Sequence, residues 1–111
     1  MIFKAAASSL AIWACALPAL ANCRLALLLA VDVSNSVNAT EDALQRSGLA
    51  AAFLAPDVQK AVFATDQTVA LAAFEWSGRH HQQVMLDWTV LKEPQDLSRA
   101  ATVIATSERG Q

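Results

Sequence analysis

The apolar run Leu25-Ala26-Leu27-Leu28-Leu29-Ala30-Val31 stops abruptly at Asp32, and this break constrains the fold more than any other feature of the chain. Seven apolar residues without alternation match a strand buried on both faces, as in the centre of a parallel sheet. Directly after the run come Asp32, Ser34 and Ser36, with one residue between each. A strand ending in one carboxylate and two spaced hydroxyls carries three hard oxygen donors to the C-terminal edge of a sheet, where open α/β sheets place ligands. A hard dication prefers oxygen ligands and keeps several waters, so Asp32, Ser34 and Ser36 are candidate ligands of Mg²⁺ or Mn²⁺. The competing local reading is an Asx- or Ser-type turn that leads into a helix.

The rest of the chain reads as strand, helix, strand, strand, helix. The first strand spans residues 24–31. Asn38 is a suitable N-cap with Glu41 three positions on, a capping-box spacing, and acidic residues follow where the helix dipole favours them. The spacing predicts a helix over 39–55, with Leu44, Gly48, Ala51 and Ala55 on one stripe and Leu49 and Phe53 beside it. Pro56-Asp57 ends it and opens a short helical segment over 58–64. Residues 69–76 and 84–91 read as the second and third strands. The short polar connection from Ser77 to Gln82 leaves no room for a crossover helix and makes these two strands antiparallel. Strand three alternates Gln83, Asp87 and Thr89 with Val84, Leu86 and Trp88, as an exposed edge strand does. Glu93-Pro94 begins a last helix, with Leu97, Ala100, Ala101, Ile104 and Ala105 on its apolar side. The expected class is α/β: a partial doubly wound, Rossmann-like sheet with strands one and two parallel. Such sheets usually continue for several more units, so residues 22–111 read as the front part of a domain.

Composition narrows the partners. With a formal charge of −2 and no Lys/Arg cluster, the chain lacks the basic surface that nucleic acids require. Residues 1–21 read as a secretory signal peptide: Lys4 precedes an uncharged stretch, and Ala19-Leu20-Ala21 follows Pro18 as a small-residue cleavage pattern. Export to the periplasm or outside the cell is expected; an uncleaved signal, or a lipid on Cys23, are the anchored alternatives. Loss of residues 1–21 removes Cys15 and leaves Cys23 alone, as a free thiol, an intermolecular partner, a small thiol buried at a strand start or, the favoured reading, half of an incomplete pair.

Strand, Asp-x-Ser-x-Ser, helix, hairpin and helix together resemble the N-terminal half of a von Willebrand factor A domain. The segments Cys23-Arg24-Leu25-Ala26-Leu27, Leu49-Ala50-Ala51-Ala52 and Phe74-Glu75-Trp76-Ser77-Gly78 look further like an exported bacterial family of unknown function within that superfamily. The resemblance implies a metal-ion-dependent adhesion site. In it Ser34 and Ser36 bind the metal through their hydroxyls, Asp32 holds a metal-bound water, and a partner protein's carboxylate completes the coordination. The family's further Thr and Asp ligands have no match here; Thr102 and Thr106 belong to the last helix. The resemblance also implies a Cys in the later half as the partner of Cys23.

The expected function is therefore an exported, divalent-metal-dependent, protein-binding module, incomplete in these residues and non-enzymatic. The alternatives are a truncated remnant of such a domain, or a metal-assisted hydrolase. The hydrolase would need further carboxylates and a general base that the sequence does not supply. Other candidates read as structural. Adjacent His80 and His81 would point to opposite faces of a strand, so they read as part of a solvated hairpin turn and not as a metal pair. Glu75 is expected to face solvent or pair with Arg79, and Trp76 and Trp88 to form a cross-strand aromatic pair.

Overall fold

The computed structural model describes residues 22–110; the signal-peptide reading of residues 1–21 lies outside them. The elements run β1 (Cys23–Asp32), α1 (Ala39–Leu54), α2 (Pro56–Val62), β2 (Thr68–Ser77), β3 (His81–Leu91) and α3 (Pro94–Thr106). The sheet order is β1-β2-β3, with β1 and β2 parallel and β2 and β3 antiparallel, so the mixed α/β class and the hairpin follow the sequence reading. α1 starts with the expected capping box: Asn38 Oδ1 accepts from Glu41 N at 2.9 Å, and Asn38 N donates to Glu41 Oε2 at 2.8 Å. β3 begins at His81, three residues before the reading placed it. The turn tightens because Gly78 adopts φ 60°, a left-handed conformation that suits glycine.

Side-chain alternation divides the sheet into two unlike faces. Val69, Leu71, Ala73 and Glu75 of β2 share one face with their β3 partners Leu91, Thr89, Leu86 and Gln83. That face meets the helices, and the core forms there from Ala50 and Phe53 of α1, the inner residues of β2 and β3, and Leu97, Ala100, Ala101 and Ile104 of α3. The buried side of α3 thus agrees with its apolar spacing, except that Ala105 is exposed. The opposite face carries Leu28, Trp76, Val84, Trp88 and Val90, all exposed.

Three expectations are corrected here. Among the described residues β2, not β1, is the central strand, and β1 lies at an edge with Leu28 53% exposed. An unbroken apolar run signals the capacity for burial on two faces, but burial needs a second layer, and the described helices cover only one face. On α1 the inward stripe is Asp42, Arg46, Ala50 and Phe53, while Leu44 on the expected stripe is 66% exposed. The helix is rolled about its axis because its charged pair, not its leucine, has a partner inside. Trp76 pairs with Gln82, and Trp88 lies beyond register shifts in β3, so the two indoles do not face one another.

Leu97 and Ile104 have no exposed surface, and they join α3 to the sheet. Truncating a fully buried residue of this size removes its transfer free energy and leaves a cavity. Ile104→Ala is expected to destabilise the protein by about 2–5 kcal/mol, read as a lowered urea midpoint. Val103→Ala, on the exposed side of the same helix, should stay within about 0.5 kcal/mol of wild type.

Candidate functional site

The Asp32-to-Ser36 loop leaves β1 at the C-terminal edge of the sheet, as expected. Its first residue beyond the strand, Val33, still donates to Trp76 O at 2.9 Å, so the loop is tied to β2 as it departs. Asp32 Oδ1 accepts from Ser34 N at 2.8 Å and also from Ser34 Oγ. Ser34 Oγ lies 3.4 Å from Ser36 Oγ. The loop then closes with Val37 N donating to Ser34 O at 2.9 Å. Gln45 of α1 donates its Nε2 to Asp32 O at 3.0 Å. The fold therefore brings the three predicted oxygens together, and the turn reading holds at the same residues: an Asx-type bond organises the group.

Whether these oxygens suit a dication can be judged from their chemistry and spacing. Neighbouring ligands in an octahedral Mg²⁺ shell at about 2.0–2.1 Å lie about 3 Å from each other. The hydroxyl separation is near that value, and all three groups are hard donors. They fit part of a shell, with one negative charge among them. No cluster of three or more His, Cys, Asp or Glu stands ready for a metal among the described residues. Ser34 Oγ bonds Asp32 and Ser36 and no imidazole.

Electrostatics keeps Asp32 ionised. Hydrogen bonds from the Ser34 hydroxyl and amide hold its carboxyl below the ordinary range, against a smaller effect of burial, and the positive charge of Arg109 adds to them. Arg109 was not singled out by the sequence. It lies just beyond α3 and grips the loop by its carbonyls: Nη2 donates to Val33 O at 2.6 Å and Ser34 O at 3.1 Å, and Nη1 to Val37 O at 2.7 Å. A polar hollow of about 120 Å³ lies beside it, lined by Val33, Asn35, Ser77, His81, Arg109 and Gly110.

Beneath this hollow sits a buried charge cluster centred on Glu75, which has no exposed surface. Its Oε2 accepts from Arg46 Nη2 at 2.7 Å, and its Oε1 from Gly110 N at 2.6 Å and His81 Nε2 at 3.0 Å. Arg46 Nε donates to Asp42 Oδ2 at 2.9 Å, and Nη1 to Ser107 Oγ at 2.6 Å and Ser107 O at 3.3 Å. The expectations for Glu75 and His81 are thereby corrected: Glu75 is buried and pairs with Arg46, not Arg79, and His81 leans on it. The signal was available in the strand itself. Glu75 continues the inward positions Val69, Leu71 and Ala73, and a carboxylate there needs a cation, which the i,i+4 pair Asp42–Arg46 supplies. Cys23 is an exposed thiol without a disulfide partner among the described residues, not a buried one. Thr102 and Thr106 bond back to carbonyls of their own helix, as their position predicts.

Burial alone would raise the Glu75 carboxyl. The bonds from Arg46, His81 and the Gly110 amide outweigh it, and the net displacement is downward. Glu75 and Asp32 therefore contribute stability above the ordinary carboxylate pKa of about 4, and it is lost as pH falls through their lower folded values. Thermal unfolding followed from pH 7 to pH 2.5 should show a plateau above about pH 5 and a steep decline below about pH 4. Glu75→Ala breaks the buried Glu75–Arg46 pair and leaves Arg46 with Asp42 as its one counter-charge among the described residues, and it is expected to cost about 3–5 kcal/mol. The triple change Asp42→Leu, Arg46→Met and Glu75→Leu should cost much less, because no carboxylate or guanidinium of the cluster is then left unpaired. Chemical denaturation of the three proteins measures the difference.

No curated protein and no solved structure matches the chain. A family model described as "Protein of unknown function (DUF1194)" matches residues 22–111. That span takes in the loop, the buried cluster and every element described above, and the chain belongs to this family of unknown function.

Proposed function

We propose that the protein is an exported interaction module of the von Willebrand factor A type, in which the Asp32-to-Ser36 loop holds Mg²⁺ or Mn²⁺ and a partner protein presents a carboxylate to it. One observation carries the reading: the Asp32 carboxylate and the Ser34 and Ser36 hydroxyls converge at the C-terminal edge of a parallel strand, directly before a capped helix. The order of elements and the parallel β1–β2 pair support it. Ser34 and Ser36 would be direct ligands and Asp32 would hold a bound water. The metal would supply a fixed positive charge at the rim of the sheet. The chain's own residues shape that rim: Gln45 fixes the last strand carbonyl, and Arg109 fixes the loop's inner carbonyls. Arg109 also places a positive charge near Asp32, which lowers the affinity that one carboxylate can give. Binding in the millimolar range is the expectation for so few charged ligands.

Titration with Mg²⁺ and with Mn²⁺, followed by thermal unfolding, tests the reading. A ligand that binds only the folded state at ten times its Kd adds about 1.4 kcal/mol, which raises Tm by several degrees in a domain of this size. The rise should vanish in Asp32→Ala and shrink in Ser34→Ala and Ser36→Ala. No rise in the wild type, or an equal rise in Asp32→Ala, would overturn the proposal.

A further inference from the structure

The helix face of the sheet is not filled along its whole length. At the far end of β1 from Asp32, a hollow with a volume of about 350 Å³ opens between the sheet and α2. Eight residues of strand separate Arg24 from Asp32, about 26 Å, so this hollow is independent of the loop and of the function proposed for it. Its walls are apolar: Leu25 and Leu27 of β1, Phe53 of α1, Val62 of α2 and Leu71 of β2 line it, and Leu91 of β3 and Leu97 of α3 also reach it. Leu25 and Leu27 point to the helix face, by their register with Val69 and Leu71, yet remain 47% and 37% exposed because they line this opening. The volume lies within the range of small-molecule pockets, about 300–1,000 Å³.

Two charged side chains stand at its rim, and they are not equivalent. Arg24 Nη2 donates to Ala61 O and Val62 O, both at 3.0 Å, which caps the C-terminal end of α2. Its Nε and Nη1 have no partner among the described residues. Asp57 lies in the first turn at the other end of α2, where the helix dipole already favours an anion, and it makes no ion pair with Arg24. The guanidinium is thus held in place by two bonds from Nη2, while the hydrogens of Nη1 and Nε stay free at the rim. Both bidentate edges of a guanidinium include Nη2, so the free hydrogens offer single charge-assisted bonds, and these suit an anionic head group such as a carboxylate.

We propose that this hollow binds a medium-chain monocarboxylate, its hydrocarbon tail among Leu25, Leu27, Phe53 and Leu71 and its carboxylate accepting from Nη1 of Arg24. Titration calorimetry of the full chain tests this, with hexanoate, octanoate and decanoate below their micellar concentrations. Affinity should rise about fourfold per added methylene until the cavity is full. Octanoate should bind at least tenfold more tightly than octanol or octylamine, since a charge-assisted bond is lost in each. Arg24→Gln should abolish the head-group preference and keep the chain-length dependence. Ala61→Trp, which places an indole over the opening from an exposed position of α2, should remove binding with little change in Tm.

Octanoate should also shift the methyl resonances of Leu25, Leu27 and Val62, and not those of Leu28 or Val84 on the bare opposite face. This measurement locates the ligand whether or not the tryptophan variant folds. Equal or tighter binding of octylamine would assign the rim to Asp57 and overturn the proposal. So would non-saturable uptake, or resonance shifts confined to the opposite face.

Discussion

The Glu75 carboxylate sits at an inward position of the central strand, where no water reaches it, and the surrounding structure is arranged to neutralise and bond it. A charge in such a place is expensive unless a counter-charge and hydrogen bonds meet it there. Arg46 brings the counter-charge from α1, and this sets the roll of that helix: Asp42 and Arg46 turn inward and Leu44 turns out. His81 brings a donor from the start of β3, and the Gly110 amide brings one from beyond α3. Four separate segments therefore meet on one carboxylate. Its second oxygen admits Gly110 so closely that a Cβ there would come within 2.5 Å of Glu75 Oε1 and Gln83 Oε1. Asp42 Oδ1 is the imperfection of the cluster, buried with no hydrogen-bond partner among the described residues.

This arrangement ties the core to the candidate metal loop. Residues 107–110 are held at one end by Arg46 through Ser107 and at the other by Glu75 through Gly110. Between these anchors Arg109 reaches the carbonyls of Val33, Ser34 and Val37. The loop that offers Asp32, Ser34 and Ser36 is consequently supported from the far end of the sequence as well as by β1 and α1. A site assembled on such a support is pre-organised, so binding there need not order the loop. Its modest charge, one carboxylate beside one guanidinium, is the counterweight.

The two faces of the sheet explain where local reading succeeded and where it stopped. Element order, the capping box at Asn38, the antiparallel hairpin and the buried side of α3 all rest on interactions within a few residues, and each was legible. The same holds for Asp32, Ser34 and Ser36, because a strand's end and a two-residue spacing suffice to bring them together. The failures share a different cause. An apolar strand reads as buried whether or not a second layer covers it, so β1 looked central. Leu44 looked more fit for the core than Arg46, because propensity scores a residue alone and not with a partner 29 positions away. Trp76 and Trp88 looked paired because register shifts in β3 leave no mark in the residue pattern.

By itself the sequence determined the class of the fold, the order of its elements and the grouping of Asp32, Ser34 and Ser36, since these depend on periodicity, capping and short spacing. Only the tertiary structure decided that Glu75 would be buried, that Arg46 and not Leu44 would face inward, and that Arg109 and Gly110 would reach back across the sheet. The physical reason is that a buried charge is stable only as part of a set. The members of that set come from α1, β2, β3 and the segment after α3, and their meeting is a property of the assembled fold.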